Sequence, residues 1–154
     1  MLGLLVFIIV IGPLSIILHE AGHCFAARIC RADQVELSVG RGKSIFAWKQ
    51  NNFRVEVNRF FFLGGYSNYH KEQAFNRFEL VWISLAGPLL NLLIFLGTYW
   101  ISLPFIHLGS LFNLWLCLVN LIPFKVAMQE SDGYKVASIL WKTVRYNHDF
   151  SKKS

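Results

Sequence analysis

Uncharged stretches alternate with polar, basic ones along this chain, and their lengths set the architecture. Residues 1–18 and 80–124 contain no Asp, Glu, Lys or Arg. A helix that crosses the hydrocarbon core of a bilayer needs about 20 apolar residues. The 45 residues of the second stretch are enough for two crossings and a short turn, about 80–101 and 106–123. The first apolar segment, about 4–29, makes a third. Gly12-Pro13 in its middle predicts a kink, because Pro lacks an amide proton and crowds the preceding turn. Gly22 and Ala26, four residues apart, leave room for another helix to approach closely.

Between the first and second spans the period changes to two. Val35-Glu36-Leu37-Ser38-Val39 alternates like a strand, Gly40-Arg41-Gly42 reads as a turn, and Ser44 to Trp48 reads as a second strand. After a turn at Lys49 to Asn52, Phe53 to Asn58 alternates again. Phe60-Phe61-Phe62-Leu63 breaks the alternation and is expected to dip into the membrane surface, and Gly64-Gly65 ends the run. The expectation is a small antiparallel sheet over about 35–66, on the cytoplasmic side. Residues 53–62, or the Gly64-Gly65 region, would be its edge for an extended peptide. Residues 67–79 read as a polar link. Beyond the third span, Asp132-Gly133 precedes a helix over Tyr134 to Tyr146. It carries Val136, Ile139, Leu140 and Val144 on one side, and an amphipathic helix lying on the membrane fits. The fold class is therefore a mainly α membrane protein: three transmembrane helices, a small antiparallel sheet and a C-terminal amphipathic helix, in one domain over 1–154.

Composition agrees. The chain is 55% hydrophobic and 16% charged, against about 25% charged for ordinary soluble domains. The net charge of +6 does not require a nucleic-acid partner. All Lys and Arg lie in 28–77 or 125–153, which the positive-inside rule places on the cytoplasmic face. The amino terminus and the turn near Ser102-Leu103-Pro104 then face outside. No basic region precedes the first apolar segment, so it does not read as a cleaved signal peptide. Cys24, Cys30 and Cys117 form no CxxC pair and read as small packing residues.

The chemistry lies inside the first span, at His19-Glu20-Ala21-Gly22-His23. Ionisable groups at that depth cost a few kcal/mol on insertion scales, so they signal a function and a partner. On a helix the two histidines differ by about 40° in azimuth and one turn in height, so both imidazoles reach one ion. Glu20 stands on the adjoining flank, within reach of a water on that ion. This pattern fits Zn²⁺, one per chain, with Glu20 as general base. A third ligand is required. Glu130 and Asp132 are the acids nearest the third span, and Asp132 opens a helix, where an ordinary N-cap role competes with ligation.

Several residues together resemble the site-2 protease family of intramembrane zinc metalloproteases. His19-Glu20-Ala21-Gly22-His23 matches its zinc motif, and Leu63-Gly64-Gly65-Tyr66 is similar to its membrane-associated β-loop. Ala86-Gly87-Pro88 with Asn91 resembles its middle-span motif, and Asn120-Leu121-Ile122-Pro123 followed by Asp132-Gly133 its last one. The resemblance covers roughly residues 4–140 and implies Asp132 as third zinc ligand. The chain departs in three ways: the Asn120–Asp132 interval is longer, a second Pro is missing, and Tyr134 rather than Gly follows Gly133. The form is minimal, without PDZ-like or nucleotide-sensing extensions. The family implies hydrolysis of a peptide bond in or near a substrate's transmembrane segment, in a bacterial plasma membrane. Asn91, Asn120, Gly64 and Gly65 would then contact the substrate. The partners implied are a membrane-inserted peptide and the bilayer, with no oligomeric state specified. The rival readings are a non-catalytic zinc-binding adaptor or immunity protein, and a metal or haem carrier.

Overall fold

The computed structural model describes residues 2–126 and 129–151, with the side chains of 3–126, 129–143 and 145. The first apolar segment is one helical rod in three parts: α1 (Leu2–Val6), a π-helical turn (Phe7–Ile11) and α2 (Gly12–Ile29). The Gly12 N–H reaches back to the Phe7 carbonyl. This wider turn falls just before Pro13, where a tight α-turn would meet the proline ring, and such bulges are a known cause of helix bending. The second and third apolar helices are α3 (Arg77–Thr98) and α4 (Pro104–Leu121). The start of α3 lies three residues before the expected position. Asn76 and Glu79 form a reciprocal capping box there, which satisfies amides that would otherwise be orphaned. All three helices are long and apolar enough to cross a membrane.

Their side chains are distributed for an apolar solvent. Leu14, Phe25, Leu93 and Trp115 are each more than half exposed, while Ser15, His19, His23, Asn91, Ser110 and Asn113 are buried. Each outward Leu or Phe would forgo about 1.5–3 kcal/mol if its surroundings were water. The helices pack through small residues. A Cβ on Gly22 would lie 2.6 Å from the Ala86 carbonyl oxygen, so α2 and α3 touch backbone to backbone.

Two long strands follow α2: β1 (Gln34–Gln50) and β2 (Phe53–His70). Each bends, and the halves interleave. Residues 44–50 pair with 53–58 as a hairpin, residues 34–39 pair antiparallel with 65–70, and 35–39 also run beside 53–57 with partner numbers rising together. The order across the sheet is thus 44–50, 53–58, 34–39, 65–70. Gly40 and Gly42, both at positive φ, make the bend in β1 that this order needs. Two expectations are corrected. The strands extend to His70, so part of the expected polar link is strand. Residues 53–58 are flanked on both sides, so the free edges are 44–50 and 65–70. Val35, Leu37 and Val39 bury one face of β1 against Cys24, Ala26, Ala27 and Ile83. The sheet therefore lies along α2, and a Cβ on Gly65 would be 3.4 Å from Ile16, well up the helix from Ile29.

After α4 come two short strands, β3 (Lys125–Val126) and β4 (Gln129–Glu130), which pair antiparallel. The last helix, α5 (Asp132–Ser151), begins two residues earlier than expected and ends later. It packs on α3 and α4. Leu140 and Trp141 remain exposed. Val144, assigned to the apolar face from sequence, lies outside the described side chains.

Candidate metal centre

His19 and His23 are buried on the face of α2 that meets α3. Asp132 arrives from the first residue of α5. The Asp132 Oδ2 lies 3.1 Å from His19 Nε2 and 3.3 Å from His23 Nε2, and the two Nε2 atoms are 3.2 Å apart. These atoms form a nearly equilateral triangle. Zn²⁺ with tetrahedral bonds of about 2.0–2.1 Å holds its ligand atoms about 3.3 Å apart. The triangle thus has the size of one face of such a site, and these three residues are a group able to hold a metal ion.

The hydrogen bonds behind the triangle fix which atoms face it. His23 Nδ1 donates to the Ile83 carbonyl at 2.7 Å. His19 Nδ1 donates to Asn91 Oδ1 at 2.8 Å. The Asn91 orientation follows from a chain of partners: Asn113 Nδ2 donates to the Gly109 carbonyl, Asn91 Nδ2 donates to Asn113 Oδ1, and Asn91 Oδ1 is left to accept. Both imidazoles therefore carry their proton on Nδ1 and turn an Nε2 lone pair inward. Two lone pairs and a carboxylate oxygen repel one another unless a cation lies between them. A proton satisfies one N–H···O contact; three near-equal separations suit an ion touching all three.

Two further features keep the triangle open and charged. A Cβ on Gly87 would collide with His23 Nε2 and lie 2.9 Å from His19 Nε2, so only glycine leaves this space free. Lys135 Nζ bonds the second Asp132 oxygen at 3.0 Å. Burial disfavours the Asp132 carboxylate, and the Lys135 ammonium beside it favours the charged form. Burial likewise opposes the Lys135 charge, and the Asp132 carboxylate more than offsets this, so Lys135 remains an ammonium.

The competing roles at the start of α5 separate cleanly. Ser131, not Asp132, caps the helix: its Oγ accepts the Tyr134 N–H. The Asp132 side chain is thereby free to face the histidines. Glu130, the alternative candidate, is exposed and pairs with Lys125 at 2.7 Å, and its carboxylate does not join the three atoms that meet in the triangle.

A cleft of about 420 Å³ opens onto the group, bordered by Glu20, Gly65, Ser67 and Asn120. Glu20 lies at its wall, where Ser67 Oγ donates to Glu20 Oε2 at 2.7 Å. Gly65 lets the strand pass over this carboxylate, since a Cβ there would be 3.3 Å from Glu20 Cγ and 3.1 Å from the Ser38 carbonyl. Gly64, at φ +87°, borders an adjoining cavity. Asn120 faces the cleft while one of its amide protons bonds the Leu116 carbonyl. Asn91 differs from the expectation of a substrate contact: it is fully buried behind His19, where its geometry positions that ring. Ser67 and Asn113 carry no sequence signal of their own, because each acts through a partner distant in the chain.

Fold and site together define a metallopeptidase-like arrangement, a helical His-Glu-x-x-His completed by a distant carboxylate. Residues 6–109, more than half of the chain, match Peptidase family M50, and the protein belongs to that family. The match includes His19, Glu20, His23 and Asn91; Asn120 and Asp132 lie beyond it and join the site through the fold.

Proposed function

We propose that this protein is an intramembrane zinc endopeptidase that cleaves a peptide bond in or near a substrate's transmembrane segment. The observation that carries this reading is the inward-facing triangle of His19, His23 and Asp132, with Glu20 at the wall of the adjoining cleft. His19, His23 and Asp132 hold Zn²⁺. When bound there, the ion would supply a water of lowered pKa, about 7, and a Lewis acid for the substrate carbonyl. Glu20 accepts a proton from the attacking water as its oxygen bonds the carbonyl carbon. Glu20 then delivers that proton to the amide nitrogen as the C–N bond breaks, leaving a carboxylate and an amine. Ser67 fixes the Glu20 oxygen that does not take the proton. The free N–H of the Asn120 amide is available to the carbonyl oxygen as negative charge develops there.

A substrate helix conceals its amides in internal hydrogen bonds and must unwind before attack. The free edge 65–70 beside the cleft is suited to hold the unwound segment by strand addition, with Gly65 and Gly64 against its backbone. The protein resides in the bilayer as an integral membrane protein, with its basic segments, including the sheet region, toward the cytoplasm. The test is cleavage of a tagged membrane peptide by purified protein in detergent. Glu20→Gln is expected to abolish hydrolysis while the protein retains one equivalent of zinc. Unchanged hydrolysis in that variant contradicts Glu20 as the general base, and no hydrolysis by the zinc-loaded wild-type protein favours a binding role for the metal.

A further inference from the structure

We infer that the β3–β4 hairpin is the second wall of a substrate groove, and that the groove takes an extended, polar peptide segment flanking the membrane helix rather than the helix itself. This rests on the protease reading above. The hairpin fills the lengthened interval between Asn120 and Asp132. Its base is tied down immediately before the metal ligand. Ser131 N–H donates to the Phe124 carbonyl, the Phe124 N–H donates to Ser131 Oγ, and Ser131 Oγ donates to the Ile122 carbonyl. The Lys125–Glu130 ion pair closes the next rung. The position of β4 is thereby coupled to the position of Asp132.

Across from β4 is the sheet edge. Among the described residues, 65–70 pair on one side only, with 34–39, and β3 and β4 pair only with each other. Gln129 on the hairpin and Gly65 and Tyr66 on the edge line the metal cleft together. The same three residues line the adjoining cavity of about 530 Å³. The two spaces therefore meet between the hairpin and the edge and form one path. It leads from the metal group toward the bend at Gly40–Gly42. A strand lying in it has unpaired backbone groups on both sides, which gives two ladders instead of one. Beyond the metal the path is lined by Arg41, Glu56 and Asn58. Such walls solvate polar side chains and give an apolar helix no burial. The peptide in this path is therefore the unwound flank of the substrate.

The test uses Glu20→Gln protein, so that bound peptide persists, with a photo-crosslinking benzoylphenylalanine at position 129, 66 or 141. The probe is a membrane peptide with one apolar helix and a polar tail. Cross-links from 129 and 66 to the tail, and none from exposed Trp141 on α5, are expected. Cross-links from 66 without any from 129, or from 129 to the apolar helix, overturn the proposal. In otherwise wild-type protein, deleting residues 126–129 is expected to raise KM about tenfold at unchanged metal content, a loss of about 1.4 kcal/mol. An unchanged KM with metal retained overturns the hairpin's role and leaves the protease reading intact. Loss of metal in the deletion means that Asp132 has moved, and the cross-links then decide. Hydrolysis by Glu20→Gln protein would instead remove Glu20 from the role of general base, and no cleavage by the zinc-loaded wild-type protein would defeat the protease reading itself.

Discussion

His19 Nδ1 meets Asn91 Oδ1 at 2.8 Å, and Asn91 has no exposed surface. The pair joins two helices 72 positions apart in the chain and is one link in a buried polar series that runs Ser15, Asn113, Asn91, His19, Asp132. Partners of this kind set the tautomer and angle of a ligating imidazole, and their loss costs about 10- to 100-fold in metal affinity. Asn91→Ala is expected to lower zinc affinity by that factor while the protein remains folded. Asn91→Asp, which keeps the acceptor, should recover most of it. Competition with a chromogenic chelator measures both.

Gly87 and Gly97 lie on the same helix and provide an internal comparison. A methyl group at 87 enters the space between the histidines, whereas one at 97 meets nothing within 4 Å. Gly87→Ala should eliminate stoichiometric zinc. Gly97→Ala should bind normally and gain up to about 1 kcal/mol of helix stability. Metal analysis of the two purified variants checks this.

The carboxylates near the end of α4 are predicted to behave in opposite ways. Asp132→Asn removes a charged vertex of the triangle and should abolish tight zinc binding and cleavage. Glu130→Gln breaks only an exposed ion pair with Lys125, a contact of the kind worth about 0–1 kcal/mol, and should leave metal content unchanged. Equal losses in the two variants would refute the assignment of Asp132.

Ser67 touches Glu20 and not the triangle. Ser67→Ala is expected to reduce kcat about tenfold, since a hydrogen bond to a charged group contributes about 1.5–3 kcal/mol, with zinc content unchanged. Ser67→Thr should restore the rate. A change confined to KM would place Ser67 in substrate binding instead.

Much of this architecture was legible because its signals are local. Spans follow from uncharged length, and the His19–His23 pairing follows from the helical repeat. The strands at 35–39 and 53–58 follow from strict alternation. The sheet order did not follow, because β1 and β2 each bend and re-pair, and alternation says nothing about which neighbours a strand acquires. The choice between Asp132 and Glu130 was also hidden. It turns on Ser131 rather than Asp132 taking the helix cap, a local contact either residue could make, and on Lys125 engaging Glu130 across the hairpin. Asn91 showed the opposite limit: a polar residue in an apolar span signals function, but only its contact with His19 reveals that it orients that ring.

Zinc-edge X-ray absorption on the purified, unchelated protein tests the central claim most directly. One equivalent of zinc per chain, with nitrogen and oxygen neighbours at about 2.0–2.1 Å and an imidazole scattering pattern, is the predicted result. Protein that is folded and free of stoichiometric metal, or zinc whose imidazole signature survives replacement of His19 and His23, would contradict it.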